Sequence, residues 1–578
     1  MTESDAADAR TRALVFLLLC VLGLAAFHNS LDVPFLHDDE AAIVDNPHIR
    51  QLWPFGADGD QVQTAETGRP VVRLSLALNY ALGELDVTGY HLFNLGVHVL
   101  SAWVLFRLLR RTLSLPSIGL SRGRAVELAA ISAALWLVHP LQVDAVTYVI
   151  QRTELLMGLF FLLTLYASSV AFDSPHRLIW SSVAVLCCVC GMLSKEAMAS
   201  APILVGLYDR AYLNPDWRQL IRLRWRLYAA LAAGWLPLAA IVLSGPRDQT
   251  VGFDLGLAWW QYGATQLEMI THYLALVFWP ADFILDYGRY AGLDTADLAV
   301  AALVIGMLLG ATLWALRHRP DLGFPGAAFF LILAPSSSVI PIVTEIGAER
   351  RMHLPLAAVV VVVVVLLDHL LPSTSRRRVR LACAGLAIIT LLSVTVGRNE
   401  VFVSDLTIWR DTVAKVPDNC SARNNLGRAY FDRGQLDEAI AEFAAAVQLP
   451  HCDAQVYGNL GKALIEMGQV EQAGRYFEEL LRVRPHFWRA HEGLGIVHLR
   501  QRRWAEAIAA FELCVDNGYH SADLYTNLGM ALFQLDEPAA AARQMRQALA
   551  LDPEHTIATE NLRLIVGEMG EAGERVDE

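Results

Sequence analysis

The chain has 578 residues, of which 54% are hydrophobic and only 18% are charged. Soluble globular proteins are about one-quarter charged, so much of this chain is expected to lie in lipid. The formal net charge of -13 argues against a nucleic-acid-binding protein, which would need a basic surface.

The first element in the chain is an apolar run at residues 13–27. No small-residue cleavage site closes this run, so we expect a retained helix and not a signal peptide. The sequence His37-Asp38-Asp39-Glu40 follows shortly after it. Carboxylates at the edge of a bilayer are costly to hold in place, and an acidic cluster there indicates a functional site.

Further apolar segments follow as far as residue 397. With the first, they cover residues 13–29, 92–109, 126–143, 153–171, 178–193, 197–209, 226–244, 296–316, 322–341, 354–371 and 380–397. The sequence thus predicts about eleven membrane spans. Two features leave this count open by one or two. The segments on either side of Lys195-Glu196 are short enough to be halves of one broken helix, and 264–280 fits a re-entrant or interfacial helix.

Basic residues concentrate in alternate loops, for example in 107–124 and 210–226. Under the positive-inside rule these loops face the cytoplasm, which predicts a cytoplasmic N-terminus and places everything after Val396 outside. The extracytoplasmic face then collects most of the candidate functional groups. They are Asp38, Asp39, Glu40, Arg69, Asp144, Arg152, Glu154, Lys195, Glu196, Asp286, Glu349, Arg350 and Arg351. A transporter would instead place its polar groups at mid-membrane.

The polar part after residue 397 contains an internal repeat. Positions that recur every 34 residues are Gly427, Gly461, Gly495 and Gly529, then Ala439, Ala473, Ala507 and Ala541, then Phe443, Phe477, Phe511 and Met545. This period and pattern are the signature of the tetratricopeptide repeat (TPR), a pair of helices. We predict a stack of four repeats whose concave face binds an extended peptide or protein. The alternative is that the repeats only cap the membrane domain or hold a dimer.

The eight cysteines give no metal-site pattern. Five lie in apolar runs and are interpreted as small hydrophobic residues. Cys420, Cys452 and Cys514 lie in the polar half without the CxxC spacing of a zinc site. One disulfide among these three is compatible with an extracytoplasmic location of this half.

Six stretches, in order along the chain, resemble the transmembrane and TPR-containing O-mannosyltransferases of the GT-C superfamily. They are FLHDDEAAIVDNP (35–47), RPVVRLSLALNY (69–80), GYHLFNLGVHVL (89–100), LVHPLQVDAVTYVIQRTELL (137–156), LSKE (193–196) and GAERRMHLP (347–355). Together with the repeats, the resemblance covers most of the chain. It implies an all-α protein with a polytopic GT-C-type transmembrane helical domain followed by a TPR solenoid.

The resemblance also implies a reaction. A sugar, typically mannose, would pass from a polyprenyl-phosphate carrier to a protein hydroxyl with inversion. Asp38 matches the first-loop Asp of the superfamily, and we predict that it is the general base. Asp39 would orient the acceptor or share the proton.

The donor phosphate needs cations on the same face. Arg350 or Arg351 is our first choice, followed by Arg152, with Arg69 and Lys195 as further candidates. Residues expected to contact the acceptor or to support the site are Glu40, His91, His139, Asp144, Glu154, Glu196 and Glu349. No cofactor and no metal are expected, because four contiguous residues from His37 cannot all point at one ion.

These observations predict a division of the chain. It comprises a cytoplasmic N-terminus (1–12), the membrane domain (13–397) with its first loop at 30–91, a connecting helix (398–417), the repeats with a capping helix (418–568) and a disordered tail (569–578). The Arg- and Ala-rich composition is typical of a bacterium, which predicts the inner membrane with periplasmic repeats.

Two other functions fit parts of the sequence. A GT-C enzyme acting on a lipid or glycan is one, although repeats favour a peptide acceptor. A non-catalytic assembly protein is the other, although an anchor needs neither eleven spans nor Asp38-Asp39.

Overall fold

The computed structural model describes residues 3–52, 68–214, 216–244, 258–288, 295–338, 341–342, 345–370, 376–449, 452 and 454–576. The chain divides into two compact units, Met1–Asp411 and Thr412–Glu578. The boundary between them lies inside the predicted connecting segment 398–417.

The first unit is built from helices that are mostly apolar. They are α1 (Glu3–Phe27), α2 (Pro70–Gly83), α3 (Val87–Leu113), α4 (Arg122–Leu137), α5 (Val143–Thr147), α6 (Arg152–Ala171), α7 (Arg177–Met192), α8 (Ala201–Tyr212), α9 (Trp217–Ala233), α10 (Trp235–Leu243), α11 (Trp259–Phe278), α12 (Thr295–His318), α13 (Pro320–Leu333), α14 (Pro355–Leu370) and α15 (Arg376–Asn399), and α16 (Asp405–Lys415) crosses into the second unit. A helix satisfies its backbone hydrogen bonds internally, as hydrocarbon surroundings require.

Each predicted apolar segment contains a helix, but fewer than eleven helices are long enough to cross a bilayer alone. Among the described residues, six helices are long and apolar enough to cross a membrane, or seven if α4 and the bent continuation 140–147 form one span. Helices α7, α13 and α14 are apolar but shorter. At 14–16 residues they measure about 21–24 Å, less than the roughly 30 Å of a hydrocarbon core.

The first loop is shorter than predicted. Helix α3 begins at Val87, not near residue 92, and helix α2 occupies Pro70–Gly83 within the predicted loop. Pro70 begins α2, a position where its missing N–H is not needed. The ambiguous stretch 264–280 is helical as far as Phe278, as part of α11.

A polar cluster joins the last apolar helix of this unit to the first. The Asn399 side-chain amide at the end of α15 donates to the Ala26 carbonyl and to Asn29 Oδ1, both at 2.9 Å. Its oxygen accepts a hydrogen bond of 3.0 Å from the Thr147 hydroxyl. The Asn29 side chain donates back to the Val396 carbonyl at 2.9 Å. These bonds tie α1, α5 and α15 together where α1 ends.

The second unit consists of helical hairpins. Its helices are α17 (Cys420–Phe431), α18 (Leu436–Val447), α19 (Ala454–Glu466), α20 (Val470–Val483), α21 (Trp488–Arg500), α22 (Trp504–Asp516), α23 (Ala522–Gln534), α24 (Pro538–Leu551) and α25 (Thr556–Val576). Within the first three hairpins a recurring glycine packs on the recurring phenylalanine ring, and in the fourth Gly529 packs on Met545. A Cβ on Gly427 would lie 2.6 Å from the Phe443 ring, so only glycine permits this approach.

Two details of this unit bear on the predictions. Cys420 and Cys452 form a disulfide across the first repeat, with their Cα atoms 5.6 Å apart, whereas Cys514 is a buried free thiol. The tail predicted to be disordered from residue 569 instead continues α25 to Val576. Residues 577–578 lie outside the described part.

Candidate active site

The acidic segment after α1 presents its carboxylates to two different environments. His37 has a left-handed backbone conformation (φ 45°), which turns the chain sharply just before Asp38. The Asp38 side chain is 51% exposed, and its Oδ1 lies 3.4 Å from His37 Nε2. The His37 ring also contacts the Trp409 ring edge-on, with centroids 5.2 Å apart. Asp38 and Glu40 are thus exposed carboxylates of this segment.

Asp39 is buried. One carboxylate oxygen accepts the Leu36 N–H at 3.1 Å and the other accepts the Ile150 N–H at 2.8 Å. Burial raises the pKa of Asp39 to about 8, although the two N–H groups act in the opposite direction. Such a side chain ties the acidic segment to the turn before α6. We predicted that Asp39 orients the acceptor or shares the proton; in the structure its carboxylate holds the backbone of this segment.

Tyr148 links the acidic segment to a basic one. Its buried hydroxyl accepts the backbone N–H of Asp38 at 3.0 Å. The charges of Asp38 and of Arg350 both act on this hydroxyl. The fold thus brings residues from opposite ends of the membrane unit, 312 positions apart in sequence, to one location.

Arg350 is held between two carboxylates. Its Nη1 donates to Asp144 at 3.2 Å, and its Nη2 is ion-paired with Glu345. The side chain is 13% exposed. Burial alone would lower the pKa of Arg350, but Glu345 and Asp144 together raise it above its usual value. The group is therefore a fixed cation with an accessible edge.

Two further ion pairs involve predicted phosphate-binding cations. Lys195 Nζ pairs with the buried carboxylate of Glu154, and Arg69 Nη2 lies 3.4 Å from Glu196. Burial lowers the pKa of Lys195 more than Glu154 raises it, and the charges of Arg69 and Arg350 lower it further. Three of the five predicted phosphate-binding cations are therefore brought together.

The other two predicted cations are not at the surface of this cluster. Arg152 is completely buried, and its three nitrogens donate to Asn94 Oδ1, the Ser75 carbonyl and the Tyr90 carbonyl at 2.9–3.2 Å. Arg351 is 3% exposed and donates to the backbone carbonyl of Glu345 at 2.8 Å. Both guanidinium groups hold helices and loops in place, because neighbouring chain segments cover them.

The remaining predicted residues mostly position the backbone. Glu349 is buried and accepts the Ile284 N–H at 2.5 Å, and burial raises its pKa to about 7. His91 faces the Val33 carbonyl at 2.8 Å. His139 faces a backbone carbonyl of α11 at 3.1 Å. These contacts indicate that the three side chains fix loops around the charged cluster.

Sequence reasoning did not select Glu345 or Tyr148. Glu345 lies only five positions before Arg350 in the same loop, a signal for a local counter-ion that was available. Tyr148 lies inside one of the stretches that carry the family resemblance, but nothing in the sequence indicates that its hydroxyl faces Asp38.

Comparison with known proteins finds TPR models that match the second unit and relatives that match most of the chain. Family models described as tetratricopeptide repeats match residues 427–468, 459–519 and 522–555. Human protein O-mannosyl-transferase TMTC3 is 22% identical over 95% of this chain and 69% of its own length. Drosophila melanogaster Tmtc3 is 32% identical over 32% of this chain and 22% of its own length. Over most of its length the chain is similar to a TMTC protein O-mannosyl-transferase.

The predicted resemblance to these proteins, the all-α fold and the combination of transmembrane helices with TPR repeats are thus confirmed. Solved structures give weaker likenesses. ArnT from Cupriavidus metallidurans, bound to undecaprenyl phosphate, aligns over 81% of this chain and 80% of its own, at 15% identity and a TM-score of 0.38. The TPR protein YrrB aligns over 30% of this chain and 87% of its own, at 19% identity and a TM-score of 0.23.

Proposed function

We propose that this protein transfers mannose from a polyprenyl-phosphate carrier to Ser or Thr hydroxyls of extracytoplasmic proteins, with inversion. One observation carries the proposal: Asp38, an exposed carboxylate, is held through its backbone N–H by the Tyr148 hydroxyl at 3.0 Å, and Asp144, four positions before Tyr148, holds the Arg350 guanidinium at 3.2 Å. Direct displacement at a sugar phosphate needs a base for the acceptor and positive charge for the leaving group.

Asp38 accepts the proton of the acceptor hydroxyl while the hydroxyl oxygen attacks the anomeric carbon. A new C–O bond forms on the face opposite the phosphate. The bond from the anomeric carbon to the phosphate oxygen breaks, and its electron pair leaves with the phosphate. A single displacement of this kind inverts the anomeric carbon. One base is enough, because the lipid phosphate is already a good leaving group.

Lys195 and Arg350 contact the phosphate in this proposal, and Arg69 adds positive charge near Lys195. Lysine has three N–H donors and arginine has five, and the bonds of Arg350 to Asp144 and Glu345 occupy two of them. The paired carboxylates keep the cations in place without a large surplus of charge, so the phosphate is not retained after transfer. These cations supply the positive charge, and we propose that no divalent metal is required.

The repeats distinguish this reaction from sugar transfer to a lipid. A TPR stack offers a surface for protein recognition, and we propose that it binds acceptor proteins. The positive-inside rule supports an orientation with the N-terminus in the cytoplasm and the repeats outside. In a bacterium this corresponds to the inner membrane and the periplasm.

The test is a transfer assay on the purified, detergent-solubilised full-length protein. Radiolabelled polyprenyl-phosphate-mannose serves as donor and periplasmic extract as acceptor pool. We expect protease-sensitive label with the unsubstituted protein and a loss of about 10²–10⁴-fold in rate with Asp38→Asn. Asp45→Asn, an exposed acid in the same loop, is the matched control and should retain activity.

The other outcomes are equally informative. Label in protease-resistant material would contradict a protein acceptor and favour a lipid or glycan. Full activity of Asp38→Asn would exclude this residue as the base. Absence of both transfer and donor binding would favour the non-catalytic assembly protein.

A further inference from the structure

A second charged region lies at the opposite end of the membrane unit. A cavity of about 410 Å³ is lined by Arg12, Arg107, Arg110, Arg111, Arg122 and Tyr166, among others. We call it the arginine cavity. None of these residues takes part in the reaction proposed above.

The arginine cavity carries a surplus of positive charge. Asp8 is shared by Arg110, Arg122 and Arg12, at 2.5, 3.0 and 3.5 Å. Asp173 pairs with Arg111 at 2.5 Å. Two carboxylates therefore face five guanidinium groups.

The fifth arginine has an uncharged partner. Arg107 donates to the Tyr166 hydroxyl at 2.6 Å, and its guanidinium also lies 5.7 Å from the centre of the Trp103 ring. The surplus of three positive charges calls for an anion that accepts several hydrogen bonds, and a phosphate group has this chemistry.

The cavity lies at a membrane boundary, as the positions of its arginines along the helices show. Arg12 directly precedes the apolar run of α1, Arg110 and Arg111 are in the last turn of α3, and Arg122 begins α4. Asp38 follows the other end of α1, which ends at Phe27, 15 positions and therefore about 22 Å beyond Arg12. The cavity and Asp38 thus lie at opposite ends of the apolar part of α1.

Exposed apolar side chains continue from the cavity along α1. Leu14, Leu17 and Leu18 are 67%, 60% and 48% exposed and begin two residues after Arg12. In a bilayer such side chains contact acyl chains. Trp103 and Tyr166 beside Arg107 are residue types that are enriched at the headgroup level. A ligand that satisfies both surfaces has a phosphate at one end and hydrocarbon at the other.

We propose that the arginine cavity binds the phosphate headgroup of an anionic glycerophospholipid, with an acyl chain along the exposed leucines of α1. Basic pockets between transmembrane helices are suited to such headgroups. The proposal does not depend on the catalytic function, since its residues and its membrane boundary are different. Free phosphate has the same anionic chemistry, and the experiment separates the two sources.

The experiment is native mass spectrometry of the full-length protein released from detergent. The probes are phosphatidylglycerol, phosphatidylcholine and inorganic phosphate at equal concentrations. We expect retention of phosphatidylglycerol in preference to both others. Replacing Arg12 and Arg122 with glutamine should weaken phosphatidylglycerol binding about ten- to thirty-fold, because each basic residue near a membrane surface contributes to the attraction.

Two further variants control for charge and folding. Arg12→Lys/Arg122→Lys keeps the charge and should retain most of the binding. Arg218→Gln/Arg317→Gln removes two exposed arginines outside the cavity and should bind like the unsubstituted protein. Equal retention of phosphatidylcholine, equal binding of inorganic phosphate, or unchanged binding by Arg12→Gln/Arg122→Gln would each overturn the proposal.

Discussion

The two charged regions of the membrane unit use the same side chains but balance their charges differently. In the cluster near Asp38, Arg350 has Asp144 and Glu345, and Lys195 has its own Glu154. In the arginine cavity, three arginines share Asp8. A catalytic site needs cations that are fixed before the reaction and release the product afterwards. A site that retains an anion needs unbalanced positive charge.

The largest predicted effect on stability comes from breaking the ion pair between Lys195 and Glu154. Lys195→Met leaves Glu154, which is 3% exposed, as a buried charge without a cation. We expect a loss of about 3–5 kcal/mol in the free energy of unfolding, and a much smaller loss for Lys195→Met/Glu154→Gln. Unfolding in detergent measures both. Additive losses would show that the two residues are not coupled.

The next prediction compares an arginine from each region by activity. Arg350→Gln should lower the transfer rate about 10²–10³-fold, as expected for loss of a fixed electrostatic group. Arg122→Gln, in the arginine cavity and 64% exposed, should leave the rate unchanged. Assays of the two variants side by side test the division of roles. A similar loss in both would mean that the regions do not act separately.

A pH dependence tests the state of the acidic segment. Burial raises the pKa of Asp39 to about 8 in the folded protein, against about 3.9 when unfolded. Between these values the folded state binds the extra proton, so stability falls as pH rises, by at most about 1.4 kcal/mol per pH unit from this group. The contribution of Asp39 to the free energy of unfolding does not change with pH below about pH 4 or above about pH 8.

Asp39→Asn should flatten this slope between pH 4 and 8. The variant should also be less stable at low pH, since the amide offers one oxygen to two N–H groups. Asp45→Asn should keep the slope of the unsubstituted protein. An unchanged slope in Asp39→Asn would show that the raised pKa does not belong to Asp39. Glu349, whose pKa is raised to about 7, should contribute a smaller slope in all three proteins.

The smallest predicted effect decides which region faces which compartment. If the repeats are extracytoplasmic, Cys420 and Cys452 are oxidised in cells. After denaturation without reductant, a maleimide of high mass should therefore label two fewer cysteines than after reduction. Cys420→Ser/Cys452→Ser should abolish this difference. Full labelling without reductant would place the repeats in the cytoplasm and reverse the sidedness of both charged regions.

Periodic features could be predicted from the sequence, and individual contacts could not. The 34-residue step identifies the repeats because each hairpin closes on itself at the same positions, as Gly427 does on Phe443 in the first. Apolar length similarly identifies the membrane helices. Both signals are local, so they survive without knowledge of the tertiary structure.

The pairing of charges is different, because it depends on distant segments. Arg152 and Arg350 look equivalent in sequence, each on the predicted extracytoplasmic face. In the fold, Asn94 and Tyr90 of α3 enclose Arg152, while Arg350 reaches Asp144, 206 positions away. Asp38 and Asp39 are adjacent, yet one is exposed and one buried. Asp39 accepts the N–H groups of Leu36 and Ile150, and no pattern in the sequence indicates these contacts.

The Asn399 cluster has a consequence for biogenesis. The chain is made from its N-terminus, so Ala26, Asn29 and Thr147 enter the membrane unit long before Asn399 exists. Until the last apolar helix is inserted, Ala26, Asn29 and Thr147 lack the hydrogen bonds that the Asn399 side chain forms with them. Completion of the unit is therefore coupled to synthesis of its final helix, and a chain that stops short of Asn399 exposes these groups to cellular quality control.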